Sequence, residues 1–304
     1  MAFTIGLMKE KALLFGKTRS LVGVLTDPEH ADSAAKRPGV IILNSGLLPK
    51  IGPNRLHVKI ARRLAAAGFV AMRFDFSGIG DSQPRKDGVT FARSAIVETQ
   101  EAMDLLANAR GLEQFILMGI CSGADNSVRV AYEDARVAGA ALIDSYAFPT
   151  ARYFWYSYRK RLLNVRSWGN LLAGKSDLLA KIRKGRATQM RQRPAEQNER
   201  LTPDWHMPTP AELAKMLHAL LQRGTDLLFV YSGGSPAYFN YLTNLKRLLG
   251  ALQDSPHLRL EFLLDSDHGF TLLRHQKLLV DTLTAWVKSV ARSPMPNENI
   301  LTTA

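Results

Sequence analysis

The sequence predicts an α/β fold: a mostly parallel sheet flanked by helices, with a helical insertion in the second half of the chain. Three observations carry that expectation. Short apolar runs alternate with longer segments of helical periodicity, the rhythm of strands joined by crossover helices. The runs Val40–Leu43, Phe115–Met118 and Val137–Ile143 are continuously apolar, as strands covered on both faces must be. From residue 145 to 210 no strand-like run occurs, and strand rhythm resumes at Asp226.

The elements follow in order. Residues 10–26 alternate apolar and polar side chains, broken by Gly16 and Gly23, and read as two short strands at an antiparallel edge. Val40–Asn44 is the next strand, ended by Ser45 and Gly46. Spacing at Leu56, Ile60, Leu64 and Ala67 predicts a helix over 54–67 that Gly68 stops. Phe69–Phe74 is a strand, and the loop Asp75–Ser82 follows. Residues 90–109 read as a long amphipathic helix. Phe115–Met118 runs into a turn at Cys121 and then a helix, and Val137–Ile143 is a strand ending at Asp144. Ala211–Leu221 is helical, Asp226–Tyr231 and Leu258–Leu264 are strands, and helices cover 237–250 and 271–291. The polar tail from Ser293 is expected to be loose. The expected organisation is therefore a core of 1–144 and 225–304 interrupted by a basic, aromatic-rich insertion at 145–224.

Composition narrows the class. A hydrophobic share of 46% and a charged share of 22% over 304 residues suit a soluble globular protein with a sizeable core. No stretch reaches the roughly 18 uncharged apolar residues of a membrane span. The first residues lack the basic start, apolar run and small-residue site of a secretory leader, so a cytoplasmic location is expected. The single cysteine excludes an internal disulfide, consistent with a reducing compartment. Nothing in the sequence calls for a metal or an organic cofactor. The net charge is +13, and it is concentrated: 145–224 holds 15 of the 40 Lys/Arg but 5 of the 27 Asp/Glu. Such a segment attracts a partner that is acidic or carries phosphate.

The motif that carries chemistry is Gly119-Ile120-Cys121-Ser122-Gly123, placed between a buried strand and a helix. A nucleophile there must sit in a sharp turn, and small residues two positions before and after let strand and helix approach closely. Ser122 does not fit the central position, because Ile120 would then stand where a glycine is needed. The helix N-terminus behind Cys121 also favours a thiolate. A lone cysteine is more commonly a small buried hydrophobe; the strand–turn–helix frame is what favours a nucleophile here.

With these residues the chain resembles the α/β-hydrolase superfamily over nearly its whole length. Arg73–Ser82 (RFDFSGIGDS) resembles that family's loop after its fourth strand, Asn44-Ser45-Gly46-Leu47 stands where the family often has His-Gly, and Asp267–Phe270 (DHGF) resembles the loop bearing the catalytic histidine. A cysteine at the elbow is similar to dienelactone hydrolases and polyhydroxyalkanoate synthases, and the general look resembles the hydrolases found beside bacterial exosortase systems. The resemblance implies His268 as general base and the amides of Leu47 and Ser122 as the oxyanion hole. Asn44 and Ser45 offer side-chain donors in the same place. The acid is open. The family usually has it after the strand ending at Tyr231, where this chain has Ser235. Some members place it after the preceding strand, which here selects Asp144; Asp265 is a further option, and Asp267 commonly has no triad role. A thiolate–imidazolium pair can also form without a strong third group.

The insertion opens with aromatic residues, among them Tyr153 and Trp155, followed by Arg159, Lys160 and Arg161. It reads either as a cap with an apolar acyl pocket and a basic rim, or as a helical subdomain with a solvated basic face. Basic residues beside aromatics also suit single-stranded nucleic acid, but the fold and the elbow point away from it. An acyl-cysteine is a thioester, close in energy to those of coenzyme A and of carrier-protein pantetheine. The expected function is therefore ester or thioester hydrolysis or acyl transfer through an acyl-enzyme, with CoA or an acidic carrier protein as the candidate partner. Two alternatives remain: an ester or lactone hydrolase without a carrier partner, and a non-catalytic binding protein on a hydrolase scaffold.

Overall fold

The computed structural model describes residues 9–29, 37–145, 208–233 and 241–292, with backbone alone for 241–244. The strands are β1 (Lys9–Phe15), β2 (Leu21–Asp27), β3 (Gly39–Ile42), β4 (Ala71–Phe74), β5 (Phe115–Ile120), β6 (Val137–Ile143), β7 (Asp226–Ser232) and β8 (Leu258–Leu263). The helices are α1 (Leu56–Ala66), α2 (Phe91–Arg110), α3 (Ser122–Glu133), α4 (Pro210–Gln222), α5 (Tyr241–Leu249) and α6 (Leu273–Val290).

The eight strands form one sheet in the order β1-β2-β4-β3-β5-β6-β7-β8. β1 and β2 are antiparallel, as is the β2–β4 pair, and from β4 to β8 every pairing is parallel. The continuously apolar strands occupy the middle because both their faces are covered. Along β5, Phe115 and Leu117 belong to one core cluster while Ile116, Met118 and Ile120 belong to the other. The first cluster includes α2, α3, α4 and α5 side chains such as Met103, Val128, Leu217 and Leu249. The second is closed by α1 and α6 through Ile60, Leu64, Leu283 and Trp286. Both faces of the central strands are thus covered, while the edge strands β1 and β8 stay more exposed.

The strand order reverses at β3. The chain goes from β3 outward to β4, then crosses back to place β5 on the other side of β3. The carboxyl ends of β3 and β5 therefore lie side by side at a topological switch point, where open α/β sheets leave a crevice.

Contacts divide the chain into two units, 1–148 with 203–304, and 149–202. The second unit lies outside the described residues, and with it Tyr153, Trp155, Arg159, Lys160 and Arg161. Ser235 and the start of the helix expected at 237–250 lie outside them too. α4, expected within the insertion, buries Leu217, Leu220 and Leu221 in the first core cluster. Its start is fixed by a capping box, with Thr209 and Glu212 bonding each other's backbone amides. Among the described residues no helix is long and apolar enough to cross a membrane.

Candidate active site

Cys121 sits between the end of β5 and the start of α3 with φ 58° and ψ −122°, outside the regions L-residues ordinarily adopt. The turn holds it there from both sides: the Cys121 amide donates to Ile143 O (2.8 Å), and Cys121 O accepts from the Ala124 amide (2.9 Å). The flanking glycines are needed for space. A Cβ on Gly119 would stand 2.3 Å from the Gly123 carbonyl carbon, and one on Gly123 would stand 2.6 Å from Asn44 O. Backbone presses on backbone at both points, so neither neighbour can yield. The thiol itself is exposed, as the elbow geometry requires.

His268 lies in the loop between β8 and α6. Its Nδ1 is 2.8 Å from Asp144 Oδ2, and its side chain also hydrogen-bonds Cys121. With Nδ1 turned to the carboxylate, Nε2 is left for the sulfur. Asp144, at the end of β6, is 2% exposed and has a positive φ of 46°. Two further donors hold its carboxylate: the Ser232 amide to Oδ1 and the Ser232 hydroxyl to Oδ2, both at 2.7 Å. The imidazole feels the result. The hydrogen bond to the Asp144 carboxylate, reinforced by Cys121, pushes the His268 pKa up to about 10.

Cys121, Asp144 and His268, far apart in sequence, are thus one connected chain of hydrogen bonds. The two other carboxylates weighed for the acid are elsewhere. Asp267 caps the loop by accepting from the Thr271 amide and hydroxyl (2.9 and 2.7 Å), and Asp265 is exposed.

The loop after β3 faces the elbow. The Gly46 amide donates to Ser122 Oγ (2.7 Å) and the Ser45 hydroxyl donates to Ile120 O (2.8 Å). Among the described residues the Leu47 and Ser122 amides find no acceptor, and both lie at this junction. The side-chain donors of Asn44 and Ser45 are engaged within the fold. Asn44 Nδ2 is spent on Leu48 O and Asp75 Oδ1, and the Ser45 hydroxyl is spent on β5. Among the described residues no cluster of three metal-ligating side chains occurs.

Ser232 is the residue that sequence reasoning missed. Its signal was available, because it ends the strand after which the acid was sought; what could not be read was that this strand end grips a carboxylate from β6.

No protein-family model matches the chain, and comparison with curated protein sequences finds none similar. Solved structures do resemble it. The esterase domain of a Rhodothermus marinus protein matches with a TM-score of 0.55 at 16% identity, over 93% of this chain and 99% of that one. Est1E from Butyrivibrio proteoclasticus matches with a TM-score of 0.58 at 12% identity, over 93% and 99%. An alpha-beta serine hydrolase homologue from Coxiella burnetii matches with a TM-score of 0.55 at 15% identity, over 91% and 96%. The fold is that of the α/β-hydrolases. In this chain Leu47, Cys121 and His268 follow β3, β5 and β8, at the carboxyl end of the sheet.

Proposed function

We propose that this α/β-hydrolase-fold protein cleaves esters or thioesters through an acyl-cysteine intermediate. The observation that carries the reading is the hydrogen-bonded series Cys121–His268–Asp144 at the topological switch point. The names of the similar structures, an esterase domain and a serine hydrolase homologue among them, favour the same class.

The chemistry follows from the geometry. Asp144 holds Nδ1–H, so the imidazole keeps Nε2 toward the sulfur. The Cys121 sulfur attacks the acyl carbon, and the carbonyl electron pair moves onto oxygen. The Leu47 and Ser122 amides receive that charge. Collapse re-forms the carbonyl and breaks the bond to the alkoxide or thiolate, which leaves with the His268 proton. His268, now neutral, takes a proton from water; the hydroxide attacks the thioester and the Cys121 thiolate departs with the imidazolium beside it.

Cysteine favours the thioester side of this range. Exchange between an acyl-cysteine and a CoA or carrier thioester is nearly balanced in energy. The surplus of Lys and Arg in 145–224 suits the phosphates of CoA or the acidic surface of a carrier protein. Intact-mass measurement after incubation with acyl-CoA and with p-nitrophenyl acetate tests the reading. The expected result is one acyl adduct on the wild type and none on Cys121→Ala. An unmodified wild type, or an adduct that survives the substitution, overturns it.

A further inference from the structure

The loop that carries the Leu47 amide is held by a buried ion pair to which the reaction as written gives no part. Asp75, directly after β4, is 0% exposed. Its carboxylate accepts four hydrogen bonds, two on each oxygen. Oδ1 takes the Lys50 amide (2.5 Å) and Asn44 Nδ2 (3.2 Å); Oδ2 takes Lys50 Nζ (2.8 Å) and the Asp81 amide (3.0 Å). The chain wraps this carboxylate closely. A Cβ on Gly80 would stand 2.3 Å from Asp75 Oδ2. Lys50 is itself buried and also reaches Asp81, which lies at the surface.

The consequence runs through the oxyanion loop. Asn44 is clamped with its Oδ1 on the Phe76 amide (2.9 Å) and its Nδ2 shared between Asp75 and Leu48 O (2.8 Å). Leu48 N in turn donates to Ser45 O (3.0 Å), closing the turn. Gly46 is tied to Ser122 Oγ. The Leu47 amide therefore sits between two fixed points: residue 46, anchored to the elbow, and residues 48–50, anchored to Asp75.

We propose that Lys50 and Asp75 are positioning residues for the oxyanion hole: their buried pair fixes the direction of the Leu47 amide. This rests on the acyl-enzyme reading above. A carboxylate with four donors has no rotational freedom left, and the Lys50 ammonium neutralises a charge that burial would otherwise penalise. An oxyanion donor acts only if it is aimed before the charge develops. Displacing it by a fraction of an ångström weakens stabilisation of the tetrahedral intermediate and leaves the nucleophile untouched.

That separation supplies the test. Acylation by p-nitrophenyl acetate passes through an oxyanion; alkylation by iodoacetamide forms an S–C bond and expels iodide without one. Lys50→Met is expected to slow pre-steady-state acylation about ten-fold or more, with iodoacetamide labelling within about two-fold of wild type. The KM for the ester should change little, and Lys50→Arg should recover part of the rate. Breaking a buried pair can unfold a protein, so Lys50→Met/Asp75→Asn, which removes both charges, is measured beside it, each with a thermal melt. The same selective loss is expected in the double variant. The proposal is overturned if a folded variant acylates at the wild-type rate, or if acylation and alkylation fall in parallel. A wild type that alkylates but is never acylated would instead sink the acyl-enzyme reading itself.

Discussion

Two residues of the candidate site, Cys121 and Asp144, hold a positive φ that their side chains disfavour, 58° and 46°. Strain of this kind, of order 1–3 kcal/mol per residue, persists where the surroundings over-determine it. Here the surroundings are β6 and β7: Ile143 O binds the Cys121 amide, Val230 O binds the Asp144 amide, and Ser232 grips the carboxylate. Under the proposed acyl-cysteine reading, this arrangement favours a thiolate paired with an imidazolium. His268 is pushed up to about 10, first by Asp144 and then by Cys121, which favours the protonated imidazole. A serine in the turn would need a neutral imidazole to accept its proton, while a thiolate needs none. Cys121→Ser is therefore expected to lower ester turnover by at least about 100-fold, the lower end of what general-base assistance contributes. Steady-state hydrolysis of p-nitrophenyl acetate checks it, and near-wild-type turnover would show that Asp144 alone does not hold the imidazole protonated once the thiol is gone.

The same shift has a thermodynamic sign. His268 binds its proton more tightly folded than unfolded, from an ordinary value of 6.5 up to about 10. The stabilisation is fully present below about pH 6.5 and is lost as pH rises through about 10. Urea unfolding of wild type and His268→Asn at pH 6, 8 and 10 should show the stability gap widest at pH 6 and narrowing at each step. A gap independent of pH would mean that Asp144 and Cys121 do not hold the proton.

At the scale of elements, the candidate site depends on α3 approaching β3 closely enough for the Ser122 hydroxyl to reach the Gly46 amide. Gly123 permits that approach, since its missing side chain would collide with Asn44 O at 2.6 Å. Gly123→Ala should force α3 away from the loop after β3, lowering both stability and the acylation rate. Gly111→Ala is the comparison. Gly111 has a positive φ of 65°, but nothing lies within 4 Å of the place a methyl group would take, so the substitution should cost about 1–2 kcal/mol of stability and leave acylation alone. Denaturant midpoints and burst rates on the two variants separate close approach from backbone strain; equal effects on acylation would remove the special role of Gly123. These elements were largely legible in the sequence, because apolar period and glycine stops are local signals. Ser45-Gly46 and Gly119–Gly123 marked the two loops that meet. Three things were not legible. The strand order, with β3 between β4 and β5, depends on which surfaces fit after folding. The Ser232–Asp144 bonds join residues 88 apart. The burial of α4 depends on a face of α3 and β7 that no local window contains. Asn44 and Ser45 illustrate the same limit: their side chains are donors by type, but partners far along the chain decide what they donate to.

For the whole molecule the remaining question is partner choice, and the charge distribution bears on it. The segment 145–224 carries three times as many Lys/Arg as Asp/Glu, 15 against 5, while the remainder of the chain is close to balanced. A long-range field of one sign raises the encounter rate of an oppositely charged substrate and is screened over about 10 Å at 0.1 M salt. It does little for a small neutral ester. If the proposed thioester chemistry uses CoA or an acidic carrier, two signatures follow. The kcat/KM for acyl-CoA should fall as salt rises from about 0.02 to about 0.3 M, while that for p-nitrophenyl acetate stays flat. Reversing the charges at Arg159, Lys160 and Arg161 should reduce the acyl-CoA value by about ten-fold at low salt and flatten its salt dependence, again without affecting the neutral ester. On that proposal the change should fall on KM rather than kcat, because long-range charge acts on encounter and not on the bond-forming step. Equal losses on both substrates, or the absence of any salt dependence for acyl-CoA, would favour a hydrolase of uncharged esters or lactones and leave the basic segment as a solvated surface.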